Sequence, residues 1–429
     1  LSYLVFILTG VIISLGFIGN YLFKRKGIPD NLILILFGLL LGPIFHLVEP
    51  SSFAGIAPIF SSIALLIILL DGGMNLNLFK VLGESPKAMV LGTLNVVFSM
   101  VLTALFTVTF LEWDLIYGLM LGAMIGGTSS SIVISLVRKL DVSDGIVTLL
   151  SLESVFTDAL VIVVSVTFLD ILGSARVMNL NEMTQSITST LSIGVVFGLV
   201  LGVLWLKMLS KLRDSVYDDI LTLSVAIIFY GLTETVGGNG AIFSLVFGLV
   251  LGNSVEIGGM LHMQERVEVG NIMRKFMSQM SFFIRTYFFV YLGLILFIEN
   301  YSTIIYSALI MVLLIVGRFI SVALTSIGDA ELKGQREVLV AMMPRGIAAA
   351  VMAQLAISSG VQYAYMMPDL ILIIIILTVA LSSVWSSVLE RKKMRDDSAK
   401  EAVEEKLEGA AGLAPVLTPE ADEDHPAQP

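Results

Sequence analysis

Apolar runs of membrane length follow one another along most of the chain. They lie near 2–23, 31–48, 54–76, 88–111, 114–137, 145–170, 185–210, 216–235, 240–255, 276–298, 301–328, 336–360 and 367–390, about thirteen in all. A bilayer core is spanned by about 20 predominantly apolar residues. Water is absent there, so each span must satisfy its own backbone, which favours helices. The expected fold class is therefore an all-α polytopic membrane protein. The balance of residues agrees, with 56% apolar and 14% charged, against about 25% charged in soluble domains. The first run is too long for a signal peptide and has no small-residue cleavage site before Lys24, so it reads as a true span.

The basic residues test the alternation. With the N-terminus outside, 21 of the 25 Lys and Arg fall on the inner side, only Arg176 falls outside, and Arg285, Arg318 and Arg345 lie within spans. Such a split follows the positive-inside rule and places the C-terminus in the cytoplasm. The membrane default is the plasma membrane. Residues 391–429 form a tail that is basic at the membrane edge. From Glu401 onward it carries eight acids and one lysine, and it is expected to be disordered, with an unknown partner if any. Segments 77–87 and 256–275 look amphipathic and read as interfacial connectors. There are no cysteines and only three histidines, His46, His262 and His425, far apart. Thiolate sites and histidine catalysis are thus disfavoured, and neither a cofactor nor a nucleic-acid partner is expected.

Thirteen spans divide as six (about 2–170), one linking span (185–210) and six more (about 216–390), which turns the second half upside down relative to the first. Inverted repeats of this kind frame many secondary transporters. Span five carries GGTSSS at 126–131, and span twelve carries MMPRGIAAA at 342–350. Both mix helix breakers and small residues at equivalent mid-membrane positions, the best sequence pointer to a substrate site. Close helix packing through small residues is the structural alternative.

Charge in the spans narrows the chemistry. SLESVFTDAL, 151–160, puts Glu153 and Asp158 in mid-membrane, where a charge costs at least ~3 kcal/mol. Ser154 and Asp158 share one helix face, as do Glu153 and Thr157. Buried charges are usually paired, and arginine keeps its charge. Arg345, beside Pro344, is the expected partner of Glu153, leaving Asp158 as the acid without a clamp. Such a carboxylate can be neutral with a proton or with a bound cation and is costly bare. Competition for one group gives exchange of a proton for a small cation. Hydroxyls and carbonyls at Ser154, Thr128 and Ser129 offer an oxygen shell for a hard cation. Asp71, in LLDGGMNL, is expected to line an access path or approach the site, while Arg285 and Arg318 read as structural ties.

Five motifs in this order and spacing carry a resemblance: LLDGGMNLNL (69–78), GGTSSSIVISL (126–136), LESVFTDAL (152–160), RTYFFVYLGL (285–294) and PRGIAAAV (344–351). Over about residues 1–390 the chain resembles the cation:proton antiporter family of the NhaP and NHE type. The resemblance implies thirteen helices, crossed broken helices in spans five and twelve, a homodimer, and a core bundle moving against a scaffold. It puts the ion-binding aspartate on Asp158, a serine ligand on Ser154, a threonine offering its main chain on Thr128, and a structural glutamate–arginine pair on Glu153 and Arg345. Three positions depart from the family pattern: Thr157 replaces an Asn, Ser129 replaces an acid, and Asp71 replaces a Glu. Each changes the oxygen shell, so Na⁺, Li⁺ and K⁺ all stay open, with Na⁺/H⁺ exchange first and K⁺/H⁺ exchange as its rival. A single exchanging carboxylate implies one cation per proton. An ion channel is the remote alternative. An intramembrane protease fits poorly, because neither Asp71 nor Asp158 lies in a G-x-G-D context.

Overall fold

A computed structural model of the protein describes residues 2–26, 30–49, 57–76, 86–137, 140, 142–173, 180–211, 217–260, 269–296 and 301–411. Among the described residues the regular structure is entirely helical. In chain order the helices are α1 (Ser2–Lys26), α2 (Asp30–Leu39), α3 (Ala57–Asn75), α4 (Pro86–Phe110), α5 (Leu115–Met124), α6 (Ser130–Val137) and α7 (Asp144–Gly173). There follow α8 (Leu180–Leu209), α9 (Asp218–Thr235), α10 (Gly240–Gly252), α11 (Ser254–Met260), α12 (Asn271–Ile295) and α13 (Tyr301–Thr325). The last are α14 (Ala330–Gly334), α15 (Arg336–Ala341), α16 (Ile347–Ser358) and α17 (Met367–Ala411). Each apolar run of the sequence is helical over most of its length, and the runs at 114–137 and 336–360 are each two helices.

Among the described residues, five helices are individually long and apolar enough to cross a bilayer, or six if α10 and α11, bent by 79°, form one span. Local chemistry accounts for several irregularities. After α2 the chain widens into a π turn over Leu40–Ile44, where Pro43 has no N–H to donate. At the α10–α11 bend, Asn253 Nδ2 donates to Leu249 O and to Leu76 O, both at 2.8 Å. Asn239 and Asp329 cap α10 and α14, accepting from the N–H groups of Ile242 and Leu332, each at 3.1 Å.

α4 shows how these helices choose their faces. Val97, Val101 and Leu105 recur at steps of four and are exposed, whereas Asn95, Ser99, Thr103 and Thr107 recur at the same step and are buried. Lipid is as apolar as valine, so the inner face is chosen by close packing and hydrogen bonding rather than by hydrophobicity.

Contacts divide the chain into two units, Leu1–Ser386 and Ser387–Pro429. In the second, helix α17 continues through Ala411. Residues 391–411 of the tail are thus described as helix, and residues 412–429 lie outside the described residues. The expected connectors are likewise covered only in part: 77–85 and 261–268 lie outside the described residues, and 254–260 is the short helix α11.

Within the first unit, two groups of helices pack. In one, α3 lies along α10 and α12, α2 along α12, and α8 and α9 along α10. Its core joins Leu66, Leu70 and Met74 to Trp205, Phe243, Phe247, Met273 and Met277. The backbones of α3 and α10 nearly touch: a Cβ on Gly73 would lie 2.3 Å from Leu245 O, and one on Gly248 would lie 2.3 Å from Leu70 O. In the other group, α4 packs on α5, α7 and α13, and α5 and α6 pack on α7. α16 joins the groups, packing on α3 as well as on α7 and α5.

Candidate functional site

The two interrupted runs meet at their breaks. Between α5 and α6 the chain leaves the helix over 125–129, and between α15 and α16 over 342–346. Ser129 N–H donates to Pro344 O at 2.8 Å, which ties one break to the other. The approach requires glycine at 346, since a Cβ there would lie 2.7 Å from Ser129 Cβ.

Each break leaves helix-end carbonyls without helical partners, and an arginine meets each set. Arg345 Nη1 donates to Gly126 O and Gly127 O, both at 2.7 Å, and Asn95 Nδ2 also donates to Gly126 O at 2.7 Å. Arg318 donates through Nε to Leu339 O (2.9 Å) and through Nη2 to Met342 O (3.1 Å). Both arginines are fully buried. The carbonyl ends of half-helices carry partial negative charge, so a guanidinium there is doubly favourable.

This arrangement corrects the expected ion pair. Glu153, also fully buried, is held by Arg318: Nη1 lies 2.9 Å from Oε1 and Nη2 lies 3.4 Å from Oε2. Arg345 is instead committed to Gly126 O and Gly127 O, the carbonyls its own break crosses. Arg318 reaches Glu153 from α13. Both arginines lie mid-span, and only the crossing of the helices decides between them.

Behind the break lies a hydroxyl network. Thr128 N–H donates to Thr157 Oγ1 (3.2 Å), and Thr128 Oγ1, with one proton to share between them, lies 3.3 Å from Glu153 Oε2 and 3.1 Å from Ser154 Oγ. Ser154 donates to Leu150 O (2.8 Å), and Thr157 to Ser154 O (3.1 Å). The side chains of Thr128, Ser154 and Thr157 are therefore engaged with one another and with Glu153.

Asp158 points elsewhere. It lines a cavity of about 150 Å³ together with Asp71, Ser129, Ser130 and Arg285, well above the ~15 Å³ needed to admit one water. Ser130 Oγ donates to Asp158 Oδ2 at 3.0 Å. Ser130 opens α6, and Ala348, in the first turn of α16, also lines the cavity, so two half-helix N-termini border it. Asp71 accepts from Asn75 Nδ2 (2.9 Å) and Ser278 Oγ (3.0 Å). The walls come from both helix groups: α3, α10 and α12 on one side, and α7, the α5–α6 break and α16 on the other.

Of the residues singled out from sequence, Asp158, Ser129 and Asp71 thus share the cavity. Ser154, Thr128, Thr157 and Glu153 form the buried network beside it, and Arg345 holds the break. Sequence reasoning missed Ser130 and Asn95, and it read Arg318 as a structural tie, which its bonds to Leu339 O, Met342 O and Glu153 bear out, without naming Glu153 as the acid. Ser130 had a signal, since it follows the break in a run of three serines and falls at a helix start.

Residues 5–390 match the family described as "Sodium/hydrogen exchanger, transmembrane". The "K(+)/H(+) antiporter NhaP2" of Shewanella baltica is 31% identical over 236 residues, covering 54% of this chain and 40% of that protein. The "Probable Na(+)/H(+) antiporter 2" of Methanocaldococcus jannaschii is 27% identical over 282 residues, covering 63% and 64%. The matched stretch thus spans less than half the length of the Shewanella relative. Among solved structures, the sodium proton antiporter MjNhaP1 from M. jannaschii superimposes with a TM-score of 0.74 at 20% identity, over 91% of this chain and 99% of that one. This last likeness is one of fold.

Proposed function

The chain belongs to the transmembrane sodium/hydrogen exchanger family, a family of transporters rather than enzymes, and from that premise we propose that it exchanges a monovalent alkali cation for a proton. The observation that carries the proposal is the setting of Asp158. Its carboxylate lines a cavity between two helix groups and is met by Ser130. The nearby Glu153 has its own arginine. One acid is clamped and the other is left to load.

Asp158 takes either a proton or the cation, and each neutralises it. Ser129 and Asp71 line the same cavity and are proposed to help admit or ligate the ion. Ser154 and Thr128 act beside them by holding α7 against the break. Thr157, Glu153, Arg318 and Arg345 keep the two breaks in register. Alternating access is a movement of the helix group bearing Asp158 against the group bearing Asp71. The proposed frame is thirteen crossings as inverted six-helix repeats, N-terminus outside and C-terminus inside, assembled as a homodimer in the plasma membrane.

Na⁺ (or Li⁺) is the first reading of the cation, and exchange is one for one and electroneutral. K⁺ is the second reading, supported by the printed names of relatives such as the Shewanella K(+)/H(+) antiporter. The test is dissipation of an imposed pH gradient in proteoliposomes on adding Na⁺, Li⁺ or K⁺, with and without a clamped membrane potential. Dissipation by Na⁺ or Li⁺ alone, unaffected by the clamp, is expected. Dissipation by K⁺ moves the reading to K⁺/H⁺ exchange. A rate that follows the clamp removes electroneutrality, and no response to any of the three removes exchange.

A further inference from the structure

Arg285 is a charged side chain that the exchange reading leaves unused. Arg274, Ser278, Ser281 and Arg285 follow one another on α12 at steps of four, three and four, so they share one helix face. Arg274 donates to Met74 O (2.8 Å) and Gly252 O (2.7 Å), closing the ends of α3 and α10. Ser278 donates to Asp71 Oδ1 at 3.0 Å. Ser281 and Arg285 line the cavity. Among the described residues no hydrogen bond or ion pair holds the guanidinium of Arg285. Arginine stays ionised even when buried, and a mid-span charge is costly to keep.

Among the described residues, the ionisable groups lining the cavity are two acids, Asp71 and Asp158, and one base, Arg285. With all three ionised their formal charges sum to −1. One monovalent cation, or one proton, brings that to zero. Without Arg285 the same cavity stands at −2 when empty and −1 when loaded. It then holds its cation more tightly and has capacity for a second positive charge.

We infer that Arg285 is a fixed counter-charge that limits the cavity to one exchangeable positive charge, offsetting Asp71 so that Asp158 alone loads and unloads. It acts through the field in the cavity rather than as a ligand of the ion. The inference rests on the proposed exchange at Asp158.

The test compares wild type, R285Q, R285K, D71N and D71N/R285Q in proteoliposomes, measuring KM and kcat for Na⁺, Li⁺ and K⁺ in gradient dissipation. Removing a unit charge about 10 Å away at an effective dielectric near 20 is worth on the order of tenfold in affinity. R285Q should lower KM by about tenfold and also lower kcat, because release slows. D71N should raise KM by a similar factor, R285K should match wild type, and D71N/R285Q should return near the wild-type KM. An unchanged or raised KM in R285Q overturns the inference, and so does R285K behaving like R285Q. If R285Q does not fold, D71N/R285Q decides against D71N: tighter cation binding in the double variant supports the counter-charge, and equal or weaker binding overturns it. Wild-type exchange without these shifts defeats this inference alone, whereas a wild type inert to every cation defeats the exchange reading beneath it.

Discussion

Replacing Arg318 with methionine removes one side chain and strands three acceptors: the Glu153 carboxylate, Leu339 O and Met342 O. Glu153 and Arg318 are both 0% exposed, so no solvent screens the loss. Removing one partner of a buried ion pair costs about 3–5 kcal/mol, and an unsatisfied carbonyl about 1–3 kcal/mol. Thr128 already donates to Glu153 Oε2 at 3.3 Å and offsets a part. A net loss of at least about 4 kcal/mol, at about 2.1 cal/mol/K per residue over roughly 400 residues, lowers Tm by about 5 °C or more. A double-mutant cycle assigns the pair. Thermal unfolding of purified wild type, E153Q, R318M and E153Q/R318M should show a Glu153–Arg318 coupling of about 2–3 kcal/mol. In the matching cycle with R345M the coupling should stay below about 1 kcal/mol, because Arg345 Nη1 donates to Gly126 O and Gly127 O and, among the described residues, no ion pair joins Arg345 to Glu153. A Glu153–Arg345 coupling as large as the Glu153–Arg318 one would refute the assignment and restore the partner first expected from sequence.

Three further substitutions test the packing and the surface charge. Gly346→Ala places a Cβ 2.7 Å from Ser129 Cβ at the crossing. It should cost about 1–3 kcal/mol by overpacking and slow transport, whereas wild-type thermal stability would deny the close crossing. Gly248→Ala puts a Cβ 2.3 Å from Leu70 O, a backbone atom that cannot rotate away. It should destabilise by a similar amount, and an unchanged melting curve would count against the α3–α10 contact. Outside the spans, the hydrogen bond from Lys87 holds the Asp329 carboxyl below its ordinary range. The stabilisation it brings is therefore complete above the unfolded pKa, about 3.9, and is lost as pH falls through the lower folded value. Lys87→Met should flatten the acid limb of a Tm-against-pH curve below about pH 5, and an identical limb in both proteins would discount the contact.

The positions of the helices were legible because each apolar run is long and bounded by polar breaks. The interruptions were legible too, since GGTSSS and MMPRG put flexible or N–H-lacking residues where a helix must give way. The pairing of charges was not. Arg318 and Arg345 are both mid-span arginines, and what separates them is which one crosses the α5 carbonyls. Spacing within one helix carries no information about that. Similarly, Ser154 shares a helix face with Asp158, yet its hydroxyl turns to Leu150 O and Thr128. Ser130, from another helix, reaches Asp158 instead. The tail is acidic and poor in large apolar residues, yet it is also rich in alanine, glutamate and lysine, which favour helix, and α17 runs on to Ala411.

The central claim is that Asp158 is the group that cation and proton share. The most direct test follows cation-driven proton movement in proteoliposomes of wild type and Asp158→Asn, matched for folded protein by size-exclusion chromatography and Tm. Asparagine keeps the shape and removes the charge. Exchange is expected in the wild type and none in the folded variant, for Na⁺, Li⁺ and K⁺ alike. Exchange retained at the wild-type rate in Asp158→Asn would contradict it and move the shared site elsewhere in the cavity.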